Sequence, residues 1–137
     1  VGLPRPGQRI HARICPIIFF RQGRPVLAGG SPSVFLMENM LQNIINILDF
    51  GFSCEDSVQR PRFGGMSISN PGLRLIECDM NTEITRFLQD KKMRLDVVNP
   101  WNWHLGIFEG IHIHPDTDIR SACSDPRRAG GAEGLDA

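Results

Sequence analysis

A chain of 137 residues, 41% hydrophobic and 22% charged, can bury one real core and is too short for two ordinary domains. Its 15 basic and 15 acidic residues cancel, which excludes a general field drawing it to nucleic acid or an anionic membrane. No apolar run reaches the ~20 residues of a membrane helix.

The first 12 residues, with Gly2, Pro4, Pro6 and Gly7, read as an irregular arm. Val1 is neither an initiator Met nor the start of a signal pattern, which points to a processed chain or a piece of a longer one. Ile14 to Phe20 is apolar on both faces, the pattern of a strand covered on each side. Gln22-Gly23 turns the chain and Pro25 to Ala28 returns, making a hairpin. Ser31 is then the expected N-cap of a helix with Pro32 at its first position. Met37, Met40, Leu41, Ile44, Ile45 and Leu48 follow the spacing of one helix face, while Glu38, Asn39, Gln42, Asn43, Asn46 and Asp49 fall elsewhere. Gly51 closes this helix.

Ser53 to Asp56 has capping-box form for a short helix ending before Pro61. Leu73 to Cys78 reads as a strand, Asn81 as the cap of a helix carrying Ile84, Phe87 and Leu88, and Arg94 to Val98 as another strand. Leu105 to Phe108 and Ile111 to His114 are expected to pair as a hairpin turning at Glu109-Gly110. From Ser124 onward loop is expected. Hairpins interleaved with two sizeable helices define an α+β layered domain over residues 1–137, not a run of βαβ units.

Four cysteines, Cys15, Cys54, Cys78 and Cys123, lie far apart with no C-x-x-C pair, which argues against a zinc knuckle or a thioredoxin-type motif; buried free thiols are preferred to disulfides. His112 and His114 share a strand face, with Asp116 and Asp118 following. They could meet a metal, but no third ligand is fixed by spacing, and solvent-facing alternation with Ile111 and Ile113 explains the pattern as well. For His104, beside Trp101 and Trp103, aromatic packing under a loop is preferred to a cleft. The residues call for no cofactor.

Several segments, in order, resemble the small subunit of γ-glutamyltranspeptidases. They are Pro6-Gly7-Gln8-Arg9, Cys15-Pro16-Ile17-Ile18, Gly23 through Pro32, Leu41-Gln42-Asn43-Ile44, Leu48-Asp49-Phe50-Gly51, Arg60-Pro61-Arg62-Phe63, and Ser124-Asp125-Pro126-Arg127-Arg128 with Gly130-Gly131-Ala132. The resemblance implies the αββα four-layer sandwich of N-terminal-nucleophile (Ntn) hydrolases, two antiparallel sheets between helical layers, in partial form without the subunit's N-terminal strands. It also implies a precursor that cleaves itself and a new N-terminal Thr whose hydroxyl attacks an amide, with its own α-amine as base. Implied partners are the large subunit, the missing N-terminal segment of the small subunit, and a γ-glutamyl-like or other acyl amide. Neither nucleic acid nor a membrane span is implied.

Val1 has no hydroxyl, so no catalytic residue lies in this chain, and by itself it should be inactive. Two implied pockets fall inside it. The adjacent serines that hold the γ-glutamyl carboxylate would sit at Ala12 and Arg13. Ala12 offers no side-chain donor, whereas Arg13 could grip a carboxylate bidentately. An ion pair on the surface or between subunits is the other reading of Arg13. The oxyanion-hole glycines that follow Ser-Pro would sit at Ser33 and Val34. Backbone N–H groups at a helix start can serve whatever their side chains, though β-branched Val34 suits a close ligand poorly. Those replacements keep a second function in play, a non-catalytic relative acting as a binding or assembly module. The closing Asp125-Pro126-Arg127-Arg128, Asp49, and Arg60 with Arg62 are read as structural.

Overall fold

The computed structural model describes residues 5–9, 12–32 and 34–134. In chain order the elements are β1 (Ile17–Arg21), β2 (Arg24–Gly30), α1 (Leu36–Leu48), α2 (Cys54–Gln59), β3 (Phe63–Gly64), β4 (Arg74–Glu77), α3 (Thr82–Asp90), β5 (Leu95–Val98), a single 3-10 turn (Trp103–Leu105), β6 (Glu109–Ile113) and β7 (Arg120–Ser124). A four-stranded antiparallel sheet has the order β1-β2-β6-β7, and a three-stranded sheet the order β3-β4-β5. The smaller sheet is mixed, not antiparallel as expected: β4 and β5 run parallel, joined across α3 in one βαβ unit. Nine residues of helix between two short strands leave room for that crossover and none for a hairpin. No helix among the described residues is long and apolar enough to cross a membrane.

The β1–β2 hairpin forms as read, because Gln22 and Gly23 both take positive φ (50° and 77°), the twist a two-residue turn needs. The strand is shorter than expected, starting at Ile17, and it is not covered on both sides. Leu27, Met40, Ile47, Cys54, Val58, Phe108 and Cys123 form one buried cluster, so α1 and α2 cover one face of the sheet. On the other face Ile18, Ala28, Ile111 and Ala122 stand in register across all four strands. There Ile18 is 60% exposed and Ile111 45%. That row explains why Ile14–Phe20 is apolar throughout while only half of it is packed.

Gly29 and Gly110 face each other across β2 and β6 on the covered side. A Cβ at Gly110 would lie 2.5 Å from the Phe108 ring and one at Gly29 would lie 3.1 Å from it, so the missing side chains make the seat of a fully buried phenyl group. This is why Glu109-Gly110 does not turn. It opens β6, and the true hairpin is β6–β7, closed by residues 114–119. Strand β7, Arg-Ser-Ala-Cys-Ser, has little β propensity of its own and is held by the pairing.

Helix α1 departs from its expected position in two ways. It starts at Leu36, and Ser31 is not its cap. The Ser31 N–H donates to Ile14 C=O (2.7 Å) and its hydroxyl accepts from Asn39 (2.8 Å), so both groups are spent before the helix begins. The helix is also rotated. Asn39, Met40, Asn43 and Ile47 face inward, while Met37 and Leu41, assigned to the core face by spacing, are 67% and 58% exposed. Asparagines can face inward here because each amide finds partners. The Asn39 amide also donates to Ile107 C=O (2.7 Å), Asn43 donates to Asn39, and the Ser57 hydroxyl donates to Asn43. Gly51 (φ 70°) ends α1 as expected, with Phe52 N–H returning to Asn46 C=O. Ser53 caps α2 and Asn81 caps α3, each accepting a backbone N–H two or three residues on.

Of the cysteines, Cys54 and Cys123 are buried, Cys15 is half-buried and Cys78 exposed, all as free thiols, so burial holds for only two of the four. Hydrogen bonding to Cys54 and burial push the Cys123 thiol up, which keeps it protonated and inert in the core.

Candidate functional site

The closing motif organises the centre of the molecule. Asp125 accepts from Arg62 at 2.6 Å and from Phe108 N–H at 2.9 Å through one oxygen, and from Arg127 through the other. Arg127 places Nε and Nη2 on the two oxygens of Glu77 and spends its remaining protons on the carbonyls of Val58 and Arg60. Glu77 also accepts from the backbone N–H groups of Arg62 and Asn102. All four charged side chains are at most 2% exposed, and two positive charges meet two negative ones. Burial pulls the Arg62 guanidinium down to about 10, with Asp125 opposing the shift, so it stays charged at neutral pH. The structural reading of Asp125, Arg127 and Arg62 holds. Glu77, which the sequence places only within the strand read over Leu73 to Cys78, is the partner that no local signal marks.

This network sets the direction of the next residue. Asp125 and Arg128 close a turn (Arg128 N–H to Asp125 C=O, 3.2 Å), and with Arg127 committed inward Arg128 emerges on the opposite side. It meets a cleft of about 260 Å³ lined by Arg13, Pro32, Val34, Trp103, Ile107 and Arg128. Two of the residues singled out in the sequence, Arg13 and Val34, thus share one cleft. Ala12 is exposed and does not line it. Ser33 lies outside the described residues. Val34 occupies a bend two residues before α1, not the helix's first turn, because Ser31 is held against Ile14 before the helix can start.

The cleft's chemistry is simple. Among the described residues its floor and walls are apolar, and its charged lining side chains are Arg13 and Arg128. Neither forms an ion pair with a described residue. Such a site takes an anion with an apolar stem. Trp103, Arg128, Pro32 and Ile107 were missed as site residues. For Arg128 the one local signal is that adjacent residues of a tight turn point apart, so that Arg127 and Arg128 do not both face inward; it does not say what Arg128 meets. His104, expected to pack with aromatic neighbours under a loop, does meet Trp103, with ring centroids 3.7 Å apart and the planes tilted by 38°, but Trp103 itself is 53% exposed.

His112 and His114 do share a face of β6, 6.4 Å apart, but His112 points to the helix side and is half-buried, while Ile111 points out. The expected alternation is inverted. Asp118 is taken by Arg24 at 2.6 Å, and among the described residues no three His, Cys, Asp or Glu side chains are grouped to hold a metal. Burial first, then the positive neighbours His114 and Arg21, push the His112 imidazole below its ordinary range. The folded state therefore binds fewer protons than the unfolded chain as pH falls below about 6.5, where an unperturbed imidazole charges. Unfolding free energy should fall across that window. Urea denaturation at pH 7 and 5 should show the loss, and His112→Gln should reduce it.

The two-sheet architecture is similar to that of solved γ-glutamyltranspeptidases, which are Ntn hydrolases. The enzyme from Helicobacter pylori, in a mutant form, superposes with a TM-score of 0.70 at 22% identity, covering 91% of this chain and 66% of that one. The Pseudomonas nitroreducens enzyme superposes with a TM-score of 0.71 at 20% identity, covering 97% and 67%. The chain belongs to the gamma-glutamyltranspeptidase family, whose sequence model matches residues 2–135. The glutathione hydrolase proenzyme of Escherichia coli K12 is 24% identical over 123 residues, which is 89% of this chain and 20% of that protein. The chain therefore spans about a fifth of the length of that curated relative.

Proposed function

We propose that this chain is the C-terminal part of the small subunit of a γ-glutamyltranspeptidase-like amidohydrolase or acyltransferase with a diverged acyl pocket. The observation that carries the reading is the meeting of Arg13 and Val34 in one cleft. In the reaction, the N-terminal Thr of the complete small subunit, contributed from upstream, gives its hydroxyl proton to its own α-amine and attacks the amide carbon. The backbone N–H of Val34 stabilises the oxyanion, and Arg13 fixes the free carboxylate of the acyl group. The leaving amine takes the proton, and water or an acceptor amine then resolves the acyl ester.

The open apolar row Ile18–Ala28–Ile111–Ala122 supports the assembly side of this reading. A sheet covered on one face only and apolar on the other is suited to a second sheet stacked ~10 Å away. In this proposal that sheet comes from the large subunit and the upstream segment, which together complete the four-layer sandwich.

The test is hydrolysis of γ-glutamyl and other acyl anilides by the intact polypeptide. Release of aniline that falls at least about tenfold in Arg13→Ala, as expected for loss of a charge-assisted carboxylate contact, supports the reading. Intact polypeptide that turns over no acyl anilide would identify the binding or assembly module instead.

A further inference from the structure

We propose that Arg128 is a second anion-binding side chain of the cleft, so that its ligand is a compact dicarboxylate and its acyl donors keep two free carboxylates. The inference rests on the assignment of this cleft as the acyl site through Arg13. Charge balance motivates it. Among the described residues the lining carries two arginines and no acid, and neither Arg13 nor Arg128 is neutralised by a described residue. One carboxylate leaves a positive charge uncompensated, whereas two compensate both.

Geometry supports a fixed role for Arg128. Its backbone is held by the Asp125 turn, and that turn is anchored by Arg62, Phe108 and Arg127. A surface arginine on a loose tail would have no such bearing. The remaining lining, Trp103, Ile107, Pro32 and Val34, gives the methylene chain of a dicarboxylic acid an apolar surface. A cleft of about 260 Å³ has room for a five-carbon acid.

Chemical-shift titration of the intact polypeptide with glutarate and with butyrate tests this directly. Glutarate should bind about tenfold more tightly than butyrate, the effect of one additional charge-assisted contact. Arg128→Gln should abolish that preference, and Arg13→Gln should weaken both acids. Both side chains project from the surface outside the buried network, so circular dichroism should be unchanged in each variant. Equal binding of the two acids, lost in Arg13→Gln but untouched by Arg128→Gln, would overturn this proposal and leave the acyl-site assignment standing. No saturable binding of either acid would overturn both.

Discussion

Arg127→Ala is expected to lower the unfolding free energy by about 3–5 kcal/mol, the usual effect of removing one partner from a buried ion pair. The size follows from what is left behind. Both Glu77 oxygens lose their guanidinium contacts, Asp125 loses one of its two arginines, and the carbonyls of Val58 and Arg60 lose their side-chain donor. The Glu77 and Asp125 carboxylates are buried, so their charge is left short of partners and out of reach of bulk water. Arg127→Lys should recover only part of the loss, since an ammonium cannot span Glu77 bidentately. Joint replacement of Glu77 by Leu and Arg127 by Met should be milder than Arg127→Ala, because no charge is then stranded. Urea denaturation of the three variants measures the series. Loss below about 1 kcal/mol for Arg127→Ala, the range of an exposed pair, would show that the network is not buried.

Asn39→Ala is expected to cost on the order of 3 kcal/mol and to loosen the cleft. The Asn39 amide is the only described side chain that bonds both the segment leading to Val34, through Ser31, and the wall carrying Ile107. Truncation leaves the Ile107 carbonyl and the Ser31 hydroxyl buried without that donor, each at about 1–3 kcal/mol. It also removes an acceptor from Asn43. The expected signature is a lower urea midpoint together with weaker carboxylate binding, although Asn39 does not line the cleft. Asn39→Asp tests the chemistry separately: it keeps the volume but cannot donate to Ile107, so it should resemble alanine in stability.

The two asparagines also show where sequence reading stopped. Hydrophobic spacing located α1 but turned it to the wrong face, because a polar stripe looks solvated until its partners are known. Those partners, Ser31, Ser57, Arg62 and Ile107, are scattered over 76 residues between the first and last numbers. Local signals fared better where the physics is local. The Gln22-Gly23 turn, the Ser53 and Asn81 caps and the Gly51 stop depend on neighbours within a few positions and were all legible. The Glu109-Gly110 reading failed for the opposite reason. Glycine there serves a distant ring, Phe108 packed onto the sheet, and not a turn.

At the cleft, Arg13 and Val34 were reached through motif order, whereas Trp103 and Arg128 required the fold. Nothing in the chain between residues 13 and 128 announces that they meet. Their convergence depends on the buried charge network on the Arg128 side and on the Asn39 amide on the Val34 side, so stability and binding are expected to fail together in Asn39→Ala yet separately in Arg128→Gln.

The most direct measurement is N-terminal sequencing of the small fragment formed when the intact polypeptide is incubated after synthesis, combined with labelling by an amide-mimicking electrophile. The expected result is cleavage upstream of Val1, a fragment beginning with Thr, and one covalent adduct on that Thr. A polypeptide that stays whole and takes no label would contradict the idea that these residues frame a nucleophile supplied from upstream.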